Sequence, residues 1–124
     1  MENTKSLKKN YEIKNVIKYG KTYGGHYLTF FILKNNKINN FLCISVTKKT
    51  GNSVIRNRIR RKIRENYGQL ESKIKKGYSI VILWKKDKDK ENATFDNIKN
   101  DFEFVFRKAN IFNEKIINKN DWYI

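Results

Sequence analysis

The spacing of apolar side chains changes repeatedly along the chain, and each change predicts an element. Ile13, Val16 and Ile17 recur at helical spacing, with Asn10 ahead as a cap and Gly20 behind as a terminator, which predicts a short helix to about Tyr19. After a loop over 21–26, the run from Tyr27 to Leu33 alternates: Leu28, Phe30 and Ile32 share one face, and Tyr27, Thr29 and Phe31 share the other. A polar connection over 34–40 leads to a second alternating run, Phe41 to Thr47, which sets Leu42, Ile44 and Val46 against Phe41, Cys43 and Ser45.

Beyond Lys48-Lys49-Thr50, the turn residues Gly51, Asn52 and Ser53 open a helical stretch to about Leu70, with an apolar stripe of Ile55, Ile59, Ile63, Tyr67 and Leu70. Gly77 precedes the apolar run Tyr78 to Trp84, which suits an interior strand, and 85–92 is a charged loop. Thr94 opens a last helix carrying Phe95, Ile98, Phe102, Val105 and Phe106. The tail over 111–124 reads as either a short helix or a loose end held by Trp122. The chain is therefore one α+β domain over 1–124, with 111–124 set apart as a C-terminal extension. A strand–helix–strand crossover through the middle helix leaves its flanking strands free to pair in parallel.

Charge sharpens this picture. The 124 residues carry a net +16, and 13 of those charges fall between Ile13 and Arg64, where no Asp or Glu occurs. Lysine outnumbers arginine 22 to 6, yet Arg56, Arg58, Arg60, Arg61 and Arg64 crowd into nine residues. In a chain that uses Lys wherever plain charge suffices, that cluster is a local choice. A guanidinium grips phosphate oxygens in pairs and stacks on bases, as an ammonium does not. At 100° per residue Arg56, Arg60, Arg64, Asn57 and Arg61 cover an arc of about 140° beside the apolar stripe. The pattern predicts a polyanionic partner, with Lys48 and Lys49 at the helix entrance where the dipole also favours phosphate.

A protein nuclease needs a carboxylate cluster for metal ions or a His pair for proton transfer, and the chain offers one His and no acid in its basic half. His26 reads as a surface residue, Cys43 as core filling, and Trp84 and Trp122 as packing residues. Gly24-Gly25 does not form a phosphate loop, for want of a following Lys-Ser/Thr. No catalytic or metal-ligating side chains are expected. The lone Cys43 argues for a reducing cytoplasm, and no segment is apolar enough to span a membrane. Phe31 stays open between a second core layer under a helix and an exposed ring that stacks a base.

The run from Val46 to Glu65, VTKKTGNSVIRNRIRRKIRE, resembles the signature of the bacterial ribonuclease P protein subunit family. The resemblance includes the Arg56-Asn57-Arg58 centre and the Lys-Lys-x-Gly-Asn turn before it. It extends upstream through Leu7–Asn10 and Val16–Lys21, and downstream to the strand at Tyr78 and to Phe106-Arg107-Lys108.

The resemblance implies a sheet of about four strands packed with helices, with the basic helix as a left-handed βαβ crossover like that of a ribosomal-protein domain. It implies a Mg²⁺-using catalytic RNA that does the chemistry, with no cofactor on the protein alone and no obligate protein partner. Precursor tRNA, whose 5′ leader is removed, is the substrate. Lys48, Lys49, Asn52, Arg56, Asn57, Arg58, Arg60, Arg61 and Arg64 would contact the catalytic RNA or order metal ions near it. Ile13, Ile17, Thr29, Phe31 and Ser45 would line the leader's path, with Ile13 and Ile17 standing where the family usually has aromatic rings. The competing readings are a ribosomal or ribosome-assembly protein and a DNA-binding regulator, the latter lacking a short helix ahead of the basic one.

Overall fold

In the computed structural model, which describes residues 3–113, the elements run β1 (Thr4–Ser6), α1 (Asn10–Tyr19), β2 (Lys21–Gly24), β3 (Leu28–Lys34), β4 (Asn40–Ser45), α2 (Ser53–Leu70), β5 (Tyr78–Trp84) and α3 (Phe95–Lys108). The strands form one mixed sheet in the order β1-β4-β5-β3-β2. β4 pairs in parallel with β1 and β5, while β3 pairs antiparallel with β5 and β2. The basic helix α2 is thus the crossover between two adjacent parallel strands. Because β5 is central and covered on both sides, Ile80, Val81 and Ile82 are all fully buried, which is why that run shows no alternation.

Each sheet face has its own apolar cluster. Leu28, Phe30, Ile32, Leu42, Ile80, Ile82 and Trp84 pack under α2 and α3, meeting Ile59, Ile63, Tyr67, Phe102 and Phe106. On the opposite face Phe31, Leu33, Phe41, Cys43, Val81 and Leu83 pack with Leu7, Ile13 and Val16. Helix α1 therefore covers the face that the basic helix does not.

Three features of the sequence are resolved differently by the fold. The stretch over 21–24, expected as loop, is edge strand β2, and Thr4–Ser6 adds a second edge, so the sheet has five strands. Lys9, not Asn10, caps α1, with no side-chain hydrogen bond. Gly20 follows the helix at a point with no room for a side chain: a Cβ there would stand 2.5 Å from the Val16 carbonyl oxygen and 3.0 Å from that of Ile32. Tyr27 leaves the Phe31 face altogether and stacks on Trp84, with ring centroids 5.7 Å apart. The cause is Asp101, a buried carboxylate on α3 that accepts from the backbone N–H groups of His26 (2.9 Å), Tyr27 (2.8 Å) and Leu28 (2.9 Å). Three consecutive amides turned to one carboxylate break the strand alternation at Tyr27. Gly25 permits the approach, since a Cβ there would lie 2.5 Å from Asp101 Cγ.

Ile111 and Phe112, expected in a loose tail, are buried in the main cluster, and Phe112 bridges to Ile74. Trp122 and the rest of the tail lie outside the described residues. Asp101→Ala should lower the unfolding free energy by about 3 kcal/mol, because three backbone amides, that of Leu28 buried, lose their shared acceptor. Urea unfolding checks this; a loss under about 1 kcal/mol would show that the β2–β3 turn holds without the carboxylate.

Candidate nucleic-acid interface

Helix α2 is built to hold one side and offer the other. Asn52 caps it, accepting from the Ile55 N–H at 3.0 Å, so its side-chain oxygen is committed to the helix start. Ile59, Ile63 and Tyr67 bury against the sheet, and the Tyr67 hydroxyl meets Thr4 Oγ1 at 2.7 Å, tying α2 to edge strand β1. Burial pushes the Tyr67 phenol above its ordinary pKa and keeps it neutral. Asn66 is also buried and donates to the Lys62 and Phe95 carbonyls, locking α2 to the start of α3.

Beside this buried stripe the guanidiniums line up as the periodicity predicts. Arg56 and Arg60 are half-buried at its margin, and Asn57, Arg61 and Arg64 are exposed. Arg60 donates to Asn57 Oδ1, fixing both side chains. The Arg56 Nε is shielded from solvent without a hydrogen-bond partner. Among the described residues none of Arg56, Arg58, Arg60, Arg61 and Arg64 is ion-paired with a carboxylate. Arg64 borders a small recess with Lys5, Ser6, Leu42 and Ile44 at the β1–β4 side of the sheet. Arg58 departs from the strip: it lines a groove with Ile55, Lys62, Lys90 and Glu91 on the side facing α3.

That groove leads to a cluster that periodicity alone does not reveal. Loop 85–92 reads as charged surface, yet Lys86, Lys88 and Lys90 gather with Lys49 around one recess that also holds Asp87 and Asp89. The signal lies in the topology. Parallel neighbours β4 and β5 end at the same edge of the sheet, so the loops that follow them must meet. Lys48 and Lys49 are exposed there, and the basic surface wraps around the N-terminal end of α2.

The five apolar and hydroxyl residues expected on the leader path share the α1 face. Thr29 and Ser45 flank Leu83 in one row across β3, β5 and β4, at the sheet end nearest Lys48; Phe31, Val81 and Cys43 form the next row. Phe31 does some of each thing expected of it, packing into the second cluster while remaining half-exposed. Ile13 packs against that cluster, but Ile17, part of the same apolar repeat, is 40% exposed one turn on. His26 is exposed, and burial pushes the half-buried Cys43 thiol up, away from nucleophilic use. Among the described residues no three His, Cys, Asp or Glu side chains gather as a metal site, and no helix is long and apolar enough to cross a membrane.

The family model described as Ribonuclease P matches residues 1–110. A ribonuclease P protein component of Clostridioides difficile (strain 630) is 38% identical over 109 residues, covering 87% of this chain and 94% of the relative. One from Staphylococcus aureus (strain Mu3 / ATCC 700698) is 38% identical over 117 residues, 94% of this chain and 99% of the relative. Among solved structures, an RNase P protein of Staphylococcus aureus superposes with a TM-score of 0.76 at 32% identity, covering 87% of this chain and 97% of its own.

Because no carboxylate among the described residues neutralises the exposed arginines, they contribute little to the fold. Arg61→Gln combined with Arg64→Gln should change the urea-unfolding free energy by no more than about 0.5 kcal/mol. A loss above about 1 kcal/mol would mean that these side chains hold the protein together.

Proposed function

This chain belongs to the ribonuclease P protein family, and from that premise we propose how its two faces divide the work of the ribonucleoprotein. As a family member it acts in tRNA processing as the protein component of an endoribonuclease whose other component is RNA. The reading proposed for its residues is that Arg56, Asn57, Arg60, Arg61 and Arg64 hold phosphates of the catalytic RNA. Arg58, Lys48, Lys49, Lys86 and Lys90 extend that hold around the helix entrance. Asn52 serves chiefly by capping the helix that carries the arginines.

The 5′ leader of precursor tRNA is assigned to the α1 face. An extended strand lies over Thr29, Phe31 and Ser45, with apolar support from Ile13 and Ile17. It enters from the end where the basic loops converge, so leader and catalytic RNA approach each other across one positive edge. The protein then lets a polyanionic catalyst approach a polyanionic substrate, while Mg²⁺ and bond breaking belong to the RNA. A reducing cytosol suits the single Cys43, which has no partner for a disulfide within the chain.

The observation that carries this reading is the row of arginines on α2 left without carboxylate partners among the described residues. The test is cleavage of precursor tRNA by the reconstituted particle. The chain alone should cleave nothing, and with the cognate RNA it should stimulate most at low salt and low Mg²⁺. In the same assay Phe31→Ala should weaken binding of leader-bearing precursor by about 1 to 2 kcal/mol and leave mature tRNA unaffected. Cleavage by RNA-free protein, or equal losses for both tRNAs, would contradict the assignment.

A further inference from the structure

The α1 face holds a cavity that the leader path leaves unused. It lies at the Leu33–Ser79–Phe41 row, the end of the sheet away from Lys48, and is an open recess of about 260 Å³. Pockets for drug-sized ligands begin near roughly 300 Å³, so this one suits a group of one or two rings. Val16, Leu33 and Phe41 give it an apolar floor, and Tyr11, 64% exposed, stands among its lining residues. Glu12 and Asn15, one turn apart on α1, add a carboxylate and a carboxamide. Ile17 lies about 140° around the helix from Glu12, so α1 has one edge toward the cavity and another toward the leader path.

The rim is built rather than incidental. Asn35 organises the β3–β4 turn, accepting from the Lys37 N–H at 2.8 Å and donating to Ser79 Oγ at 3.1 Å, while Asn36 adopts a left-handed φ of 58°. The turn places Lys37 Nζ 5.0 Å from the centroid of the Phe41 ring, and Lys9 Nζ lies 5.9 Å from that of Tyr11. Two aromatic rings, two ammoniums, a carboxylate and an amide are the parts of a nucleotide site. The exposed Tyr11 ring can stack a base, Phe41 backs the floor, and the ammoniums meet a phosphate. A carboxylate accepts from paired N–H groups. Of the four RNA bases only guanine sets two N–H groups, N1–H and N2–H, side by side on one edge, with O6 beside them for an amide donor.

We propose that this cavity receives one unpaired guanine nucleotide of a bound RNA, with Glu12 accepting from its N1–H and N2–H, Asn15 donating to its O6, and Lys37 and Lys9 meeting its phosphate. The proposal rests on the RNA-binding reading of the chain. Strand rise puts the cavity about 13 Å from the Ser45 row, so the guanine belongs either to the catalytic RNA or to the precursor, and the experiment separates the two.

Amide NMR of the full chain, titrated with guanosine monophosphate, adenosine monophosphate and inorganic phosphate, tests the site. Guanosine monophosphate should shift Asn15, Leu33 and Phe41 saturably, adenosine monophosphate should bind there at least about tenfold more weakly, and phosphate should leave those amides still. Glu12→Gln, with its spectrum otherwise folded, should weaken the guanosine response about tenfold, and the exposed-site variant Tyr11→Ala should weaken it as well. In the holoenzyme, 6-thioguanosine carried by the catalytic RNA in one sample and by the precursor in another should crosslink near Tyr11 or Phe41 from one of them, which names the source. Equal responses to the two purines, undiminished binding by Glu12→Gln, or no crosslink from either RNA would overturn the proposal. Failure of the unsubstituted chain to bind the catalytic RNA at all would instead overturn the RNA-binding reading beneath it.

Discussion

Repulsion among the α2 guanidiniums, relieved by no carboxylate among the described residues, is the constraint on which the rest depends. Arg56, Arg60 and Arg64 repeat at i, i+4, a spacing at which like charges cost a few tenths of a kcal/mol per pair. The helix survives because burial on its other side offsets that cost: Ile59, Ile63 and Tyr67 are all but inaccessible, and Asn66 and the Tyr67 hydroxyl anchor it at two further points. Folding thus leaves positive charge in place rather than consuming it. In the proposed reading a polyanion completes the electrostatics from outside, steered there by the net +16 of the chain.

The sheet turns that constraint into a division of surfaces. Its two faces are both apolar, so both need cover, and the helices divide between them: α2 and α3 on one, the shorter α1 on the other. A ten-residue helix is too short to hide the whole face, and the uncovered rows at its two edges are the Thr29–Leu83–Ser45 row and the cavity beside Phe41. Parallel pairing of β4 with β5 brings the Lys48 turn and the 85–92 loop to the same edge. The basic surface and the proposed leader face therefore meet at the edge where a catalytic RNA and its substrate would come together.

Much of this was legible in the residues. Strong periodicity located α2, α3, β3 and β4, an unbroken apolar run located β5, and the same helical arithmetic placed Arg56, Arg60, Arg64, Asn57 and Arg61 beside the buried stripe. What escaped was set by contacts distant in sequence. Asp101 captures three amides some 74 residues earlier and thereby moves Tyr27 to the other face. Thr4–Ser6 and Lys21–Gly24 are strands only because neighbours offer them edges, and their short polar runs carry no alternation of their own. Arg58 and the lysines of the 85–92 loop needed the topology before they could be assigned to their recesses. Ile111 and Phe112 were hidden by a tail whose composition looks loose, although both residues seal the main cluster.

Whether the α2 arginines meet RNA phosphates is tested most directly by the salt dependence of assembly. Binding of the full chain to its cognate RNA would be measured across a salt series, beside the Arg60→Ala, Arg64→Ala variant. The slope of log K against log salt should become shallower by about one unit for each phosphate that the variant no longer neutralises, roughly two for the pair. An unchanged slope, whatever the change in affinity, would show that those groups do not face phosphate and would contradict the role given to them here.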